Sequence, residues 1–165
     1  MPTHATVTPQ TWEILMYFRR ASPADADAVL TLWKAADATE SVTDTVGDIR
    51  LISTRDHVVF MLAIVDENIV GSLIAAFDGW RGNMYRLATH PDFRRRGIAR
   101  SLVREAERVF DEWGVKRITA LVEKDHSWAV HFWQDAGYVL DERISRYVRN
   151  PPLQPPSGAC GFGQS

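Results

Sequence analysis

The sequence predicts an α/β protein in which one mixed β-sheet is covered by helices on both faces. Apolar, β-branched runs of strand length alternate with amphipathic runs of helix length. A short polar turn joins two of the strand runs, and a strand–helix–strand unit in the second half requires a parallel crossover. The predicted element order is β-α-α-β-β-β-α-β-α-β, and the 165 residues suffice for one domain.

The first elements are a strand and two helices. Residues 14–20 form an apolar strand run. A helix then opens with Ser22 as N-cap and Pro23 at the first helical position, which is a strong start signal. Its apolar stripe consists of Val29, Leu30 and Trp33. A second, weaker helix over residues 43–53 is interrupted by Gly47.

The next region, residues 57–90, is the clearest β segment. Asp66-Glu67-Asn68 separates two β-branched runs and predicts a hairpin turn. The loop signals of residues 78–83 separate the third strand from a fourth over residues 84–90, which Pro91 ends.

The second half continues with a helix that begins at Gly97 and is closed by Gly114. One face of this helix carries Ile98, Leu102, Ala106, Val109 and Phe110. A fifth strand is predicted over residues 115–122, a short helix over 127–136, and a sixth strand over 138–149. We therefore expect an N-terminal extension over residues 1–13, a domain over 14–149, and a Pro/Gly-rich C-terminal tail over 150–165.

Composition excludes several functions. The formal net charge of −2 gives no polycationic surface for nucleic acid or an anionic membrane, and no apolar run is long enough to span a bilayer. The only cysteine, Cys160, allows no intrachain disulfide, and the five histidines are too scattered to predict a metal site. With no signal-peptide pattern at its start, the protein is expected to be cytoplasmic.

Three consecutive arginines, Arg94, Arg95 and Arg96, lie directly before the helix that begins at Gly97. Cations are unfavourable at a helix N-terminus unless an anion is bound there. The first turn offers unpaired N–H groups, and Gly97 and the small Ala99 allow close approach of a ligand. The pattern indicates a pyrophosphate site. The alternative is a solvated surface run before an ordinary helix start.

These residues resemble a known family. The run from Arg94 to Ala99 matches Arg/Gln-x-x-Gly-x-Gly/Ala, the pyrophosphate loop of the GNAT superfamily of acyl-CoA-dependent N-acyltransferases. A second block, His126-Ser127-Trp128-Ala129-Val130-His131-Phe132-Trp133 followed by Gly137-Tyr138, is similar to another family motif. The resemblance covers residues 14–148 and implies a GNAT-like fold with six or seven mixed strands, of which strands four and five are splayed apart.

The resemblance also implies a cosubstrate and a reaction. Acetyl-CoA would lie between strands four and five, and an amine would attack its thioester directly. The residues expected to bind acetyl-CoA are Leu87, Ala88, Thr89, Arg94, Arg95, Arg96, Gly97, Ile98, Ala99, Arg100, His126, Ala129, Phe132 and Trp133. An extended, amide-bearing ligand is suited to the unpaired backbone groups of two separated strands.

The chain departs from the family pattern where proton transfer would occur. The frequent tyrosine is Trp133, the frequent asparagine is His126, and a base position on strand five is Leu121. Indole N–H is a donor but no acid at neutral pH, so the general acid and base are unassigned. The candidates to relay a proton are Tyr85, His126 and His131, each with an alternative role in packing or capping.

An acceptor pocket is predicted from the aromatic residues around the third and fourth strands. Its candidates are Trp33, Phe77, Asp78, Trp80 and Tyr85. The alternative is that Trp33 packs the first helix on the sheet and Asp78 forms a turn.

Three functions compete. The leading hypothesis is an acetyl-CoA-dependent N-acetyltransferase for a small amine or for a protein amino group, such as an N-terminal α-amine. A non-catalytic acyl-CoA sensor or regulatory domain is the alternative from another class. Nucleic-acid binding is opposed by the acidic neighbours of the arginine run, Glu105, Glu107, Asp111 and Glu112. A homodimer is compatible with the resemblance.

Overall fold

The computed structural model describes residues 15–151, which form a five-stranded sheet with helices on both faces. The strands are β1 (Met16–Arg20), β2 (Val58–Val65), β3 (Asn68–Phe77), β4 (Gly82–Thr89) and β5 (Ile118–Ala120), and they are neighbours in that order. The helices are α1 (Ala26–Ala35), α2 (Val46–Ile52), α3 (Ile98–Glu112) and α4 (Ser127–Asp135). β1 to β4 are antiparallel, whereas β4 and β5 are parallel. The predicted fold class is confirmed.

The predicted hairpin joins β2 and β3. Its two central residues, Asp66 and Glu67, have φ values of 46° and 64°. Left-handed conformations at both positions match the twist of the adjoining strands, and the Asn68 side chain donates a 2.8 Å hydrogen bond to the Asp66 carbonyl. The polar triplet therefore sets the register of the two central strands.

Both faces of the sheet are buried, which explains the continuous apolar runs of the central strands. Successive residues of β2, such as Met61 and Leu62, point to opposite sides of the sheet. One side packs on α3 and α4, and the other on α1 and α2. The predicted face of α3 is confirmed by its buried residues Ile98, Leu102, Val103, Ala106, Val109 and Phe110, and Gly114 ends the helix with a φ of 68°.

The predicted sixth strand is wrong. Residues 138–149 contain no strand, and the sheet has five strands within the described range instead of six or seven. The exposed apolar residues of this segment are Val139, Leu140, Ile144, Tyr147 and Val148. Leu140, Ile144 and Val148 would share one face of a strand, and Val139 and Tyr147 the other, but neither set is buried. β5 is also shorter than predicted.

The ends of the chain lie mostly outside the described residues. This applies to the expected extension over residues 1–13, to Ile14, and to all of the expected tail beyond residue 151. Within residues 15–151, no helix has the length and apolar character needed to cross a bilayer.

Asp25 fastens the start of the first helical segment to β1. Its carboxylate accepts two hydrogen bonds from Arg19, at 2.8 and 2.7 Å, and one each from the N–H and hydroxyl of Ser22, at 2.7 and 2.9 Å. The Arg19 guanidinium, followed by the Ser22 donors, holds the pKa of Asp25 well below its ordinary value against the effect of burial.

We expect Asp25→Asn to lower the free energy of unfolding at pH 7 by about 2 kcal/mol, because hydrogen bonds to a charged group are lost. The depressed pKa means that Asp25 stabilises the folded state fully above the unfolded-state pKa of ~3.9 and progressively less below it. The difference between wild type and variant, measured by urea unfolding, should therefore shrink as the pH falls below about 4. A difference that stays constant down to pH 2 would contradict this.

Candidate active site

The site is a cleft where β4 and β5 separate. The two strands pair only through Gly82, Asn83 and Met84 on β4, opposite Ile118, Thr119 and Ala120 on β5. The last contact is a 3.5 Å hydrogen bond from the Leu121 N–H to the Met84 carbonyl. From Tyr85 onward, the β5-facing edge of β4 has no strand partner within the described residues. The predicted splaying of strands four and five is confirmed.

A β-bulge lies where the cleft opens. Tyr85 is opposite Ile74, and Ala88 is opposite Ser72, so two residues of β4 face a single residue of β3. Arg86, inside the bulge, has a φ of 53°. A bulge bends the strand that carries it, and here it lies immediately after the last β4–β5 pair.

The open edge of β4 carries groups suited to an extended, amide-bearing ligand. Leu87 packs toward α3, and Ala88 is buried on the α1 and α2 side. The hydroxyl oxygen of Thr89 is buried and has no hydrogen-bond partner among residues 15–151. Buried polar atoms are rarely left unpaired. These residues fit a ligand such as the pantetheine arm of acetyl-CoA.

The turn before α3 offers a row of backbone donors. Arg95 has a φ of 61° and Gly97, the N-cap of α3, a φ of 78°. The first helical hydrogen bond runs from the Ser101 N–H to the Gly97 carbonyl at 3.0 Å. Within the described part of the chain, the N–H groups of residues 95–100 have no backbone or side-chain acceptor. They include Ile98, Ala99 and Arg100, and a pyrophosphate fits these donors.

Close packing fixes the position of this turn. A β-carbon at Gly71 on β3 would lie 2.7 Å from Cγ2 of Ile98 and 3.2 Å from Cδ1 of Leu102. Because Gly71 has no side chain, the first turn of α3 lies directly against the sheet. The N-terminus of the helix is therefore held beside the end of β4.

Two of the three arginine side chains are held by neighbours. Arg94 donates a 3.2 Å hydrogen bond to the Ala36 carbonyl at the end of α1, and its Cζ lies 5.0 Å from the ring centroid of Trp128. Cζ of Arg96 lies 4.9 Å from the ring centroid of Phe93. These contacts orient Arg94 and Arg96, although all three arginines stay exposed to solvent.

The residues expected on α4 separate into two groups. His126 stacks on Trp128 with a centroid distance of 5.6 Å, and its Nδ1 lies 3.4 Å from a carboxylate oxygen of Glu123. Phe132 and Trp133 instead pack in the core on the α3 side, where Trp133 is 7% exposed and lies 4.8 Å from the ring of Tyr138. Of the other α4 candidates, Ala129 is half-buried, and the Nδ1 of His131 lies 2.7 Å from the carbonyl of Ser127.

Tyr85 lies at the vertex of the cleft, directly after the last β4–β5 pair. Burial raises its pKa, the charge of Asp78 raises it further, and Arg146 opposes both. Its hydroxyl is therefore protonated across the neutral pH range. The side chain is 36% exposed and is open to a molecule from solvent.

The other acceptor candidates are divided between solvent and core. Trp80 is 72% exposed and is covered by Arg81, whose Cζ lies 3.9 Å from its ring centroid. Asp78 accepts hydrogen bonds from the N–H groups of Arg81 and Trp80, which lower its pKa and form the turn.

The remaining two candidates are packed inside the protein, Phe77 beside α3 and Trp33 beside Arg86. Phe77 packs on Trp113 near the end of α3, with a centroid distance of 6.1 Å. Trp33 is buried against Phe60 and donates a 2.9 Å hydrogen bond to the hydroxyl of Ser72. Of the acceptor candidates, Tyr85 is therefore the one at the vertex, whereas the 78–81 turn precedes Gly82, at the paired end of β4.

One half-buried polar residue beside Met84, Tyr138, belongs to the second sequence motif but was not predicted as a site residue. The Tyr138 hydroxyl donates to a carboxylate oxygen of Glu107 at 3.0 Å and lies 3.8 Å from the sulfur of Met84. Burial and the Glu107 carboxylate raise its pKa well above the ordinary value. The available signal was its place directly after Gly137, which ends α4 with a φ of 90°.

Comparisons with known proteins agree with this geometry. The family model described as the acetyltransferase (GNAT) family matches residues 26–138. An acetyltransferase of Pectobacterium atrosepticum is 35% identical over 114 residues, which cover 69% of this chain and 81% of the relative. An acetyltransferase of Sodalis glossinidius is 31% identical over 120 residues, which cover 73% of this chain and 84% of the relative.

Solved structures show the same fold. An aminoglycoside N-acetyltransferase, AAC(6′)-Iy in complex with CoA, superposes with a TM-score of 0.70 at 17% identity, covering 88% of this chain and all of that one. The PaiA N-acetyltransferase of Thermoplasma acidophilum, in complex with coenzyme A, gives 0.66 at 15% identity and covers 74% of this chain and 88% of that one. The chain therefore belongs to the GNAT family and is an acetyl-CoA-dependent N-acetyltransferase.

Proposed function

We propose that acetyl-CoA binds along the open edge of β4 and that its pyrophosphate is held by the turn before α3. The pantetheine arm would pair with the backbone of residues 87–89, and the pyrophosphate would accept from the N–H groups of residues 95–99. One observation carries this proposal: the unpaired edge of β4 leads toward a row of unpaired donors at the start of α3. The spacing of the two features along the chain suits one extended ligand with amides at one end and a diphosphate at the other.

The acceptor is proposed to be a primary amine, on a small molecule or on a protein, that reacts at the vertex of the cleft. The neutral amine nitrogen bonds to the acyl carbon, the carbon–sulfur bond breaks, and the thiolate of CoA takes up a proton. The positively charged nitrogen of the tetrahedral intermediate loses its proton to solvent as the intermediate collapses to the amide. Direct attack needs no enzyme nucleophile, and Tyr85 is the protonated side chain nearest the vertex along β4.

Tyr85 is proposed to donate the proton to the departing thiolate. Tyr85→Phe removes the hydroxyl and keeps the ring, so we expect kcat to fall about 100-fold, at the low end for general acids because a thiol of pKa ~8.5 is a tolerable leaving group. The dissociation constant of acetyl-CoA, measured by calorimetric titration, should change by less than about twofold. The matched control is Tyr17→Phe on β1. Unchanged kcat in Tyr85→Phe would remove this role.

The alternative of a non-catalytic acyl-CoA sensor would require that this member of the family has lost turnover. The observation that favours it is the apolar character of the far wall: Leu121 is 43% exposed, directly after β5, and the indole of Trp133 is in the core. Neither position carries a carboxylate or a phenol that could transfer a proton.

The deciding experiment measures CoA release with a thiol reagent across a panel of amines, beside calorimetric binding of acetyl-CoA. The panel should contain small diamines, aminoglycosides, and peptides with free N-terminal or lysine amines. Binding together with amine-dependent CoA release supports the transferase. Binding without release above the rate of hydrolysis for every amine would support the sensor, and no binding would overturn both.

A further inference from the structure

We propose that Arg86 and Asp44 act as positioning residues, which join the bulge of β4 to the loop between α1 and α2 and so form the acceptor-side wall of the cleft. The loop comprises residues 37–45, and we call it the α1–α2 loop. This inference rests on the proposed function, because it assigns a wall to the site in which the amine is proposed to react.

An ion pair of low exposure ties the two elements together. Nη2 of Arg86 donates to both carboxylate oxygens of Asp44, at 2.6 Å for Oδ1, and Nη1 donates to the Thr39 carbonyl at 2.7 Å. The side chains of Arg86 and Asp44 are 18% and 14% exposed. The guanidinium thus holds the loop at two points, five residues apart.

A second set of contacts connects the side chain of Arg86 to its own carbonyl through Trp33 and Ser72. Cζ of Arg86 lies 4.9 Å from the ring centroid of Trp33, whose indole N–H donates to the Ser72 hydroxyl at 2.9 Å. That hydroxyl donates to the carbonyl of Arg86 at 3.0 Å, and Ser72 is fully buried. The side chain and the carbonyl of Arg86 are therefore both held, and the bulge has one fixed conformation.

The backbone conformation of Arg86 costs free energy, which the contacts of its side chain offset. Its φ of 53° is a conformation that glycine adopts without strain and that other residues adopt at a cost. An arginine at this position is stabilised by the ion pair, the carbonyl contact and the ring that its side chain reaches. The same contacts place the loop beside the vertex.

The position of the ion pair points to the acceptor and not to the cosubstrate. Arg86 lies between Tyr85, at the vertex, and Leu87, where the pantetheine is proposed to begin. The α1–α2 loop joins the two helices that cover the sheet face opposite α3. It adjoins the anion-binding turn at its α1 end, where the Ala36 carbonyl accepts from Arg94. Arg86 instead holds the loop at Thr39 and Asp44, beside the vertex. Loosening the loop should therefore affect the amine more than acetyl-CoA.

The test compares Asp44→Asn and Arg86→Gly with Asp25→Asn. Glycine keeps the left-handed conformation and removes the guanidinium, and Asp25→Asn disrupts a comparable bidentate pair that is remote from β4. In Asp44→Asn and Arg86→Gly we expect the KM for the amine to rise about 10-fold, the KM for acetyl-CoA to change by less than about twofold, and amide exchange in residues 37–45 to accelerate. Arg86→Lys should recover part of the loss.

Several results decide the matter. Asp25→Asn should leave both KM values and the exchange of the loop unchanged, and a tenfold rise in its amine KM would make the effect one of general stability. Faster exchange with an unchanged amine KM, or equal rises in both KM values, would overturn the acceptor role. Wild-type protein that releases no CoA with any amine would contradict the proposed function itself, which is a different outcome from altered variants of an active enzyme.

Discussion

Gly97→Trp should abolish the stabilisation that acetyl-CoA gives the protein while leaving a folded chain. At one hundred times its dissociation constant, acetyl-CoA should add ~2.7 kcal/mol to the apparent stability of the wild type. An indole at Gly97 would occupy the open space in front of the N–H groups of residues 95–100, because no other group lies within 4 Å of the position of its Cβ. The measurement is thermal melting with and without acetyl-CoA.

The matched control for this variant is Gly114→Trp, at the other end of the same helix. Gly114 also has a left-handed φ, 68° against 78° at Gly97, and also has open space around its Cβ position. Both variants should lose about 1–2 kcal/mol of stability through backbone strain. Only Gly114→Trp should keep the acetyl-CoA shift, and equal shifts in both variants would remove the pyrophosphate from this turn.

Gly71→Ala is expected to weaken acetyl-CoA binding by pushing on α3 from the sheet beneath it. The added methyl would lie 2.7 Å from a methyl of Ile98, the first residue of α3, and 3.1 Å from Cβ of Ala63. Relief of these contacts must move the start of the helix, together with the donors of the preceding turn. We expect a stability loss of about 1–3 kcal/mol from overpacking and a rise of at least ~10-fold in the acetyl-CoA dissociation constant.

Gly82→Ala is the control for Gly71→Ala. Its added methyl would lie 2.9 Å from the ring of Phe110, near the far end of α3. Urea unfolding should show a similar stability loss, and calorimetric titration should show a dissociation constant within about twofold of the wild type. If both variants weaken binding equally, the effect follows from lost stability and not from the position of the turn.

Most of the fold could be predicted because its signals are local. The polar triplet at Asp66 specifies a turn, and the apolar period of α3 specifies a helix with one buried face. The strand predicted over residues 138–149 does not form, although Leu140, Ile144 and Val148 would share one strand face, because those side chains are exposed and bury no surface here.

The candidate site was predictable in its contiguous part only. The anion-binding turn could be recognised from the run Arg94 to Ala99, since the donors, the glycine and the helix start are neighbours in sequence. The network around Arg86 joins residues separated by 39 and 42 positions, and no periodicity indicates such pairs. The burial of Trp133 in the core could not be predicted from the sequence either, because it depends on packing against Tyr138.

The bulge at Arg86 also shifts by one residue the alternation of β4 side chains between the two faces of the sheet. Met84 packs toward α3 and Ala88 toward α1 and α2, although four residues of regular strand would put both on one side. One extra residue therefore inverts which side chains of residues 87–89 face each layer. If the same sequence ran as a regular strand without the bulge, Leu87 and Thr89 would face α1 and α2, and Ala88 would face α3. The length of this strand, counted in single residues, is thus as much a part of the binding site as the chemistry of its side chains.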